Sequence, residues 1–268
     1  MHCLQSHAVH TEVPVLLMLF DKMPENQNRE KIFNDIIAIG EKITKVRKKI
    51  KLCDNIEKQS LEKLEQIKEL DKRIKVFHKQ NEGLATTRDY GASKSNEHAR
   101  YLMFIDDDDL IEPTYLECAY WTLETNKDAA WAYSDSLGFG SIEYTWNKYF
   151  SSEKMKKEND LISAALVRKT DFFLVNGYNL KEKAVNEDWN FWLKLLSKEK
   201  FPVHISFYGE WYRRKENGEL QRSRENKERS LEIINNTAKG VTKVDDIEYI
   251  LRGYENFDKK LRNISKIN

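Results

Sequence analysis

Four consecutive aspartates, Asp106 to Asp109, end an apolar run that reads YLMFI over residues 101–105. Adjacent like charges repel one another. Mg²⁺ and Mn²⁺ prefer oxygen ligands, often one or two carboxylates together with the phosphates of a substrate. In extended backbone Asp106 and Asp108 project to the same side, so the pair has the spacing to bind one metal ion. A solvated acidic turn explains the same residues equally well on spacing alone.

A second pair of carboxylates, Glu187 and Asp188, opens a helical pattern over residues 186–200. A carboxylate in this position can simply cap the helix, because the helix dipole favours negative charge there. It can also act as a general base that takes a proton from an attacking hydroxyl. The spacing of Trp189 and Trp192 indicates packing in the core, although one of them could line a sugar pocket.

The third stretch whose residues could take part in binding or catalysis is NEGLATTRDYGAS at 81–93, where Arg88 lies between Gly83 and Gly91. A guanidinium group suits a phosphate or the edge of a nucleobase. The alternative is an ordinary surface ion pair with the adjacent Asp89.

The first half of the chain predicts the elements that would position these residues. Its apolar patterns alternate between strand and helix, which is typical of a mostly parallel α/β sheet. Ligands of such sheets bind beyond the carboxyl ends of the strands, and the aspartate run lies at one of those ends. The predicted strands are 13–20, 48–55, 74–78 and 101–105, and the predicted helices are 29–43, 60–73, 84–95 and 113–126.

Beyond residue 126 the pattern becomes less regular. A short strand is predicted at 129–135, and residues 136–160 look irregular and rich in aromatic and lysine residues. A further strand is predicted at 203–214. Residues 216–230 are almost wholly polar, and apolar residues at helical spacing over 245–262 predict a packing helix.

The composition of the 268 residues excludes several classes of protein. Lys plus Arg (45) nearly equals Asp plus Glu (44), which argues against a nucleic-acid-binding protein with a basic surface. Three cysteines without paired spacing indicate a reducing compartment. The apolar run at 13–20 is too short to span a bilayer. We therefore expect a cytoplasmic protein, and contact with the inner face of a membrane stays open.

Three motifs together resemble family 2 glycosyltransferases. QNEGLATTRDYGAS resembles the family's asparagine–glycine–leucine stretch, which continues to an arginine and a glycine. YLMFIDDDDLIEP is similar to its strand with the aspartate–x–aspartate motif. LVRKTDFFLVNGYN, followed by NEDWNFWLKLL, is similar to its arginine–phenylalanine–glycine segment and its glutamate–aspartate–tryptophan helix. The resemblance is clearest over residues 71–215.

The resemblance implies a GT-A fold, a Rossmann-like α/β sheet flanked by helices. It would occupy residues 13–215, with a nucleotide half at about 13–125 and an acceptor half at about 126–215. We further expect a flexible leader at 1–12 and a helical C-terminal extension at 216–268.

The resemblance also implies an activity, the metal-dependent, inverting transfer of a single sugar from a nucleotide-sugar, expected to be UDP-linked. The acceptor would be a hydroxyl of a glycan, a lipid-linked intermediate or a protein, in polysaccharide or surface glycan biosynthesis. Asp188 would be the base, supported by Glu187, and Asp108 would bind Mn²⁺ or Mg²⁺. The residues implied to bind the nucleotide-sugar are Asp54, Arg88, Asp106 and Asp107.

The chain departs from the family pattern in its first sixty residues. LFDKMPEN stands where the family has proline–x–tyrosine–asparagine, and IKLCDNIEKQS retains only Asp54 of an aspartate–aspartate–glycine–serine motif. These changes motivate an alternative, a glycosyltransferase-like binding or partner subunit with an impaired donor site. A metal-dependent phosphohydrolase could use the same acidic cluster, but it would leave the stretches at 81–93 and 186–192 unexplained.

Overall fold

A computed structural model of the chain describes residues 15–18, 63–80, 82–147, 149–180, 186–214 and 227–241. Residues 63–68 are helical. The strands are β1 (Val15–Met18), β2 (Ile74–Phe77), β3 (Tyr101–Met103), β4 (Leu110–Ile111), β5 (Ala129–Gly140), β6 (Tyr144–Trp146), β7 (Leu166–Arg168) and β8 (Phe201–Arg214). The helices are α1 (Leu84–Ser93), α2 (Tyr115–Thr125), α3 (Ser152–Met155), α4 (Lys169–Leu174), α5 (Glu187–Leu196) and α6 (Lys227–Ala238).

The central sheet has the strand order β3–β7–β5–β8–β4, with β6 paired to the outer part of β5. Among the described strands β5 and β8 pair in parallel, and the other pairs of this sheet are antiparallel. Strands β1 and β2 form a separate antiparallel pair. The α/β class is confirmed, but the expectation of a mostly parallel sheet is wrong for the described strands. Strand–helix alternation does not continue past α2, where a hairpin joins β5 to β6 and β7 inserts antiparallel beside β5.

The hydrophobic core lies between this sheet and helices α2 and α5. Trp131 of β5 and Trp192 of α5 are both almost fully buried, and their rings stack with centroids 5.1 Å apart. Leu193 and Leu196 of α5 are also fully buried. Aromatic packing therefore fixes α5, and with it Glu187 and Asp188, against the sheet.

Several other predicted elements are confirmed with shifted ends. The strands predicted at 74–78, 101–105 and 203–214 and the helices predicted at 84–95 and 113–126 are all present. The strand predicted at 129–135 continues to Gly140 and turns back into β6, so part of the segment expected to be irregular is a β-hairpin. The predicted helix 29–43, strand 48–55, leader 1–12 and helix 245–262 lie outside the described residues.

Helix α6 is the described part of the predicted C-terminal extension, and it packs against α5. The Thr237 hydroxyl donates to Asn190 Oδ1 at 2.8 Å, and Ile234 is buried beside it. Of the helices in the described ranges, none is long and apolar enough to cross a membrane.

The tight turn that follows α4 is held against α1 by hydrogen bonds to Asp89. Gly177 has φ = 59°, a left-handed conformation that favours glycine. The Asp89 carboxylate accepts the N–H groups of Tyr178 and Asn179, both at 2.8 Å. A Cβ on residue 177 would overlap Asp89 Oδ1 and the Phe172 ring.

We expect Gly177→Ala to lower the free energy of unfolding by about 1–3 kcal/mol, because it combines a strained backbone conformation with a steric clash against Asp89. Urea unfolding of the variant and the parent protein measures the difference. Equal stability of the two proteins would show that the turn adopts another conformation.

Candidate functional site

Arg88 joins the three regions that the sequence singled out. It lies on α1, and its side chain is 5% exposed. One guanidinium nitrogen donates to Asp106 Oδ1 at 2.7 Å, and another donates to Glu187 Oε1 at 2.8 Å. Arg88 therefore holds the end of strand β3 and the beginning of helix α5 together, which defines a single site at this edge of the sheet.

Tyr178 completes the surroundings of the guanidinium group. The Arg88 guanidinium carbon lies 5.4 Å from the centroid of its ring. Burial alone would lower the pKa of Arg88, but Tyr178, Asp106 and Glu187 outweigh this effect and raise it well above its ordinary value. The buried Tyr178 hydroxyl has no hydrogen-bond partner within the described ranges. Arg88 is thus a permanent buried cation between two carboxylates.

The aspartate run forms a turn that strand β8 secures. The Asp109 N–H donates to the Asp106 carbonyl at 3.1 Å and closes the turn. From β8, the Arg213 N–H donates to Asp109 Oδ1 at 2.7 Å, and Arg213 Nε donates to the Asp108 carbonyl at 2.8 Å. Asp107 is exposed, whereas Asp106 and Asp108 are partly buried. The turn therefore presents its carboxylates in different environments.

The structure explains how four adjacent aspartates are tolerated. Arg88 neutralises Asp106, and Asp109 is buried, with 3% of its surface exposed. Burial, together with the nearby Glu210, Asp106 and Asp108 carboxylates, raises the pKa of Asp109 to about 8 and outweighs the Arg213 N–H, which lowers it. Asp109 is consequently protonated at neutral pH, which removes one of the four charges.

We expect this protonation to make stability depend on pH. Between its usual pKa of 3.8 and about 8, Asp109 keeps a proton in the folded state that the unfolded chain releases. The free energy of unfolding should therefore fall as pH rises through this window, by up to about 1.4 kcal/mol per pH unit.

Asp109→Asn tests this, because asparagine retains an oxygen for the Arg213 N–H but does not titrate. Relative to the parent, the variant should gain stability as pH rises from about 5 to about 8, measured by thermal unfolding in EDTA. A stability difference that does not change with pH would contradict a buried, protonated Asp109.

Asp188 lies in the first turn of α5, next to Glu187. Its Oδ2 accepts the Asn159 amide at 3.0 Å, and its Oδ1 accepts the Trp189 N–H at 2.7 Å. A partly buried carboxylate held by two donors has a fixed orientation, which a general base requires. Trp189 and Trp192 are buried in the core, so neither lines a sugar pocket as the sequence had allowed.

Asp108 is the residue whose chemistry fits a divalent ion. It supplies a carboxylate at the carboxyl end of a strand, which suits Mg²⁺ or Mn²⁺ together with substrate phosphates. Within the described ranges, no group of three or more His, Cys, Asp or Glu side chains is arranged to hold a metal by itself. An ion at Asp108 would therefore need further oxygen ligands from the substrate.

The structure brings Arg88, Asp106 and Glu187 into direct contact. Asp188 directly follows Glu187 in the chain, and Asp108 lies two residues after Asp106. Asp54 lies outside the described residues. Asn159 and Tyr178 also contact this group. No local pattern predicts these contacts, because the partners are distant in the chain. Arg88 does not form the surface ion pair with Asp89 that was the alternative.

A family sequence model and several relatives match parts of this chain. The sequence model of the family described as Glycosyl transferase family 2 matches residues 34–174, slightly more than half of the chain. The match includes Arg88 and the aspartate run and ends before Glu187. Together with the mixed sheet and its flanking helices, the match confirms the GT-A fold predicted from the sequence.

Three curated relatives are similar over shorter segments, and each is described as an uncharacterized glycosyltransferase. The protein from Rickettsia bellii (strain RML369-C) is 45% identical over 56 residues, which are 21% of this chain and 8% of the relative. Those from Rickettsia conorii (strain ATCC VR-613 / Malish 7) and Rickettsia felis (strain ATCC VR-1525 / URRWXCal2) are 36% and 35% identical over 77 residues, which are 29% of this chain and 12% of each relative. The chain thus matches a small part of the length of these relatives.

Proposed function

The chain belongs to Glycosyl transferase family 2, and from this we propose that it moves a single sugar from a UDP-sugar to a hydroxyl acceptor, with inversion and with a divalent metal ion. The acceptor would be a glycan, a lipid-linked intermediate or a protein, in surface glycan or polysaccharide biosynthesis. We propose a cytoplasmic reaction, at the inner membrane face where the acceptor is lipid-linked, because the cysteine spacing fits a reducing compartment.

The observation that carries this proposal is the bridge that Arg88 makes between Asp106 and Glu187. On one side of this buried cation is the aspartate turn, which carries the carboxylates that we propose for the nucleotide and the metal. On the other side is the first turn of α5, which carries Asp188, the proposed base. A donor and an acceptor bound there would meet between the two groups, which is the positioning that group transfer requires.

The proposed reaction assigns a role to each side chain. As the acceptor oxygen forms its bond to the anomeric carbon, Asp188 takes the hydroxyl proton. The bond between the anomeric carbon and the diphosphate breaks on the opposite face of the sugar, so the configuration inverts. The Asn159 amide keeps Asp188 oriented towards the acceptor, and Asp106 and Asp107, with Asp54, bind the nucleotide-sugar.

Asp108 would hold Mn²⁺ or Mg²⁺, whose charge would neutralise the diphosphate leaving group. The geometry suggests that Arg88 contributes to nucleotide binding by positioning Asp106 rather than by reaching the nucleotide itself. The Arg88 guanidinium also lowers the electrostatic free energy that is needed to place several carboxylates around one substrate.

A screen of nucleotide-sugars tests the proposal. Thermal unfolding is measured with each compound in Mn²⁺ and in EDTA, and free UDP is assayed with and without acceptors. We expect UDP-sugars to raise the unfolding temperature in Mn²⁺ only, because a ligand of the folded state stabilises it. If no nucleotide-sugar stabilises the protein or is turned over, the proposal fails.

A further inference from the structure

One face of the β6–β5–β8 segment has small residues along its middle strand and large ones on both sides. Gly138 of β5 is the partner of Tyr144 in β6 and of Tyr212 in β8. One layer along, Ser136 is the partner of Trp146 and of Glu210. Paired residues project from the same side of a sheet. The result is a narrow floor, Ser136 and Gly138, with Tyr144 and Trp146 on one side and Tyr212 and Glu210 on the other. We call these six residues the aromatic face.

The ring of Tyr144 covers the floor of the aromatic face. A Cβ on residue 138 would overlap three atoms of that ring, so the ring can lie there only because residue 138 is glycine. The Arg214 guanidinium carbon lies 5.7 Å from the Tyr212 ring centroid. Tyr144, Trp146 and Tyr212 are only partly buried, so the held rings remain accessible.

The aromatic face reaches both halves of the proposed active site. At one end, Tyr212 directly precedes Arg213 in β8, and the Arg213 N–H donates to Asp109 Oδ1 of the aspartate turn at 2.7 Å. At the other end, the Trp146 indole donates to Asp160 Oδ1 at 3.2 Å. Asp160 directly follows Asn159, whose amide donates to Asp188.

Resting on the proposed function, we propose that the aromatic face binds the acceptor and that the bound part of the acceptor is a saccharide. One sugar ring would lie with its C–H face on Tyr144 and Tyr212, with its reacting hydroxyl towards Asp188. The partly exposed groups of the aromatic face are its rings, and Tyr144 and Tyr212 each combine an apolar ring with a hydroxyl. An apolar ring with a polar edge suits the C–H face and the hydroxyls of a sugar better than it suits a lipid chain.

The opposite face of the same strand provides a matched control. Trp211 is 42% exposed and pairs with Leu110 and Leu137, so it projects away from Tyr212. Trp211→Ala therefore removes a large exposed aromatic ring from β8 without touching the aromatic face.

The test is saturation-transfer NMR followed by titration of the full chain with methyl glycosides of glucose, galactose, mannose, rhamnose and the N-acetylhexosamines. We expect binding to the parent and to Trp211→Ala, and weakening by roughly fivefold or more in Tyr144→Ala, which loses the stacking ring. Tyr144→Phe should bind like the parent because the ring remains. Gly138→Ala should weaken binding because the added methyl group displaces that ring. Circular dichroism verifies the fold of each variant.

The inference is overturned if no glycoside binds the parent, or if Tyr144→Ala and Trp211→Ala bind equally well. Calorimetric titration of the same samples with UDP in Mn²⁺ distinguishes failure of this inference from failure of the proposed function. If the parent does not bind UDP, the proposed sugar transfer is contradicted. If the parent binds UDP and Tyr144→Ala binds saccharides as well as the parent does, only the role of the aromatic face is contradicted.

Discussion

Asp188→Asn is expected to reduce sugar transfer by roughly 100- to 10,000-fold while leaving UDP binding nearly unchanged. Asparagine cannot take the proton of the acceptor hydroxyl, so the oxygen must attack without a base. The hydrogen bonds of Asp188 are to Asn159 and to the Trp189 N–H, not to the aspartate turn, so the donor side should be undisturbed. Initial rates of UDP release with acceptor, together with calorimetric UDP affinity, measure the two effects.

Asp128→Asn is a suitable control, because Asp128 is an exposed carboxylate in the turn before β5. It loses the same charge and should keep the parental rate. If Asp188→Asn transfers sugar at the parental rate, Asp188 is not the base. If it loses UDP binding as well, the assignment of separate donor and acceptor sides is wrong.

Arg88→Ala is expected to lower the free energy of unfolding by about 3 kcal/mol. Removing one partner of a buried ion pair typically costs about 3–5 kcal/mol, because the remaining charge is buried without compensation. We expect the lower end of this range because the Asp106 side chain is 32% exposed and can be rehydrated, whereas Glu187 is 13% exposed. Urea unfolding at neutral pH gives the free energy.

Arg73 provides the comparison for this prediction. It makes a two-nitrogen contact with Asp71, at 3.0 and 2.8 Å, but its side chain is 36% exposed. Arg73→Ala should therefore cost less than about 1 kcal/mol. Combining Arg88→Met with Glu187→Leu should recover part of the loss, because it removes a buried charge together with its partner. Similar costs for Arg88→Ala and Arg73→Ala would show that the Arg88 bridge is not buried as described.

The elements that carry the candidate site could be predicted largely from the sequence, because its residues lie at the ends of recognisable elements. An apolar run that ends in aspartates predicts a strand with its carboxyl end at a ligand site, and β3 confirms the strand. A Glu–Asp pair before a helical apolar pattern predicts the start of a helix, and α5 begins at Glu187. Local patterns of this kind carry their own physical signal.

The contacts between these elements could not be predicted in the same way. Arg88 is 18 residues from Asp106 and 99 residues from Glu187 in the chain, and no local pattern encodes that pairing. The charge balance of the aspartate turn likewise depends on β8, which contributes Arg213 from 104 residues away. The tertiary fold decides which carboxylate is paired, protonated or exposed.

The β5–β6 hairpin was missed for a different reason. Gly138 and Gly140 suggest a break in a strand, because glycine usually weakens strands. In the structure Gly138 lies within the strand and leaves the space that the Tyr144 ring occupies, whereas Gly140, with φ = 105°, is the last residue of the strand. A glycine that admits a close neighbour and a glycine that ends a strand look alike until the partner strand is known.

Calorimetric titration of UDP in Mn²⁺ tests the central claim most directly, because it examines the aspartate turn without requiring the donor sugar or the acceptor. We predict that UDP binds the parent protein in Mn²⁺ but not in EDTA, and that Asp108→Asn binds in neither condition although it unfolds at a temperature close to that of the parent. If the parent fails to bind UDP in Mn²⁺, or if Asp108→Asn binds it with parental affinity, the claim that this turn holds the metal and the nucleotide is contradicted.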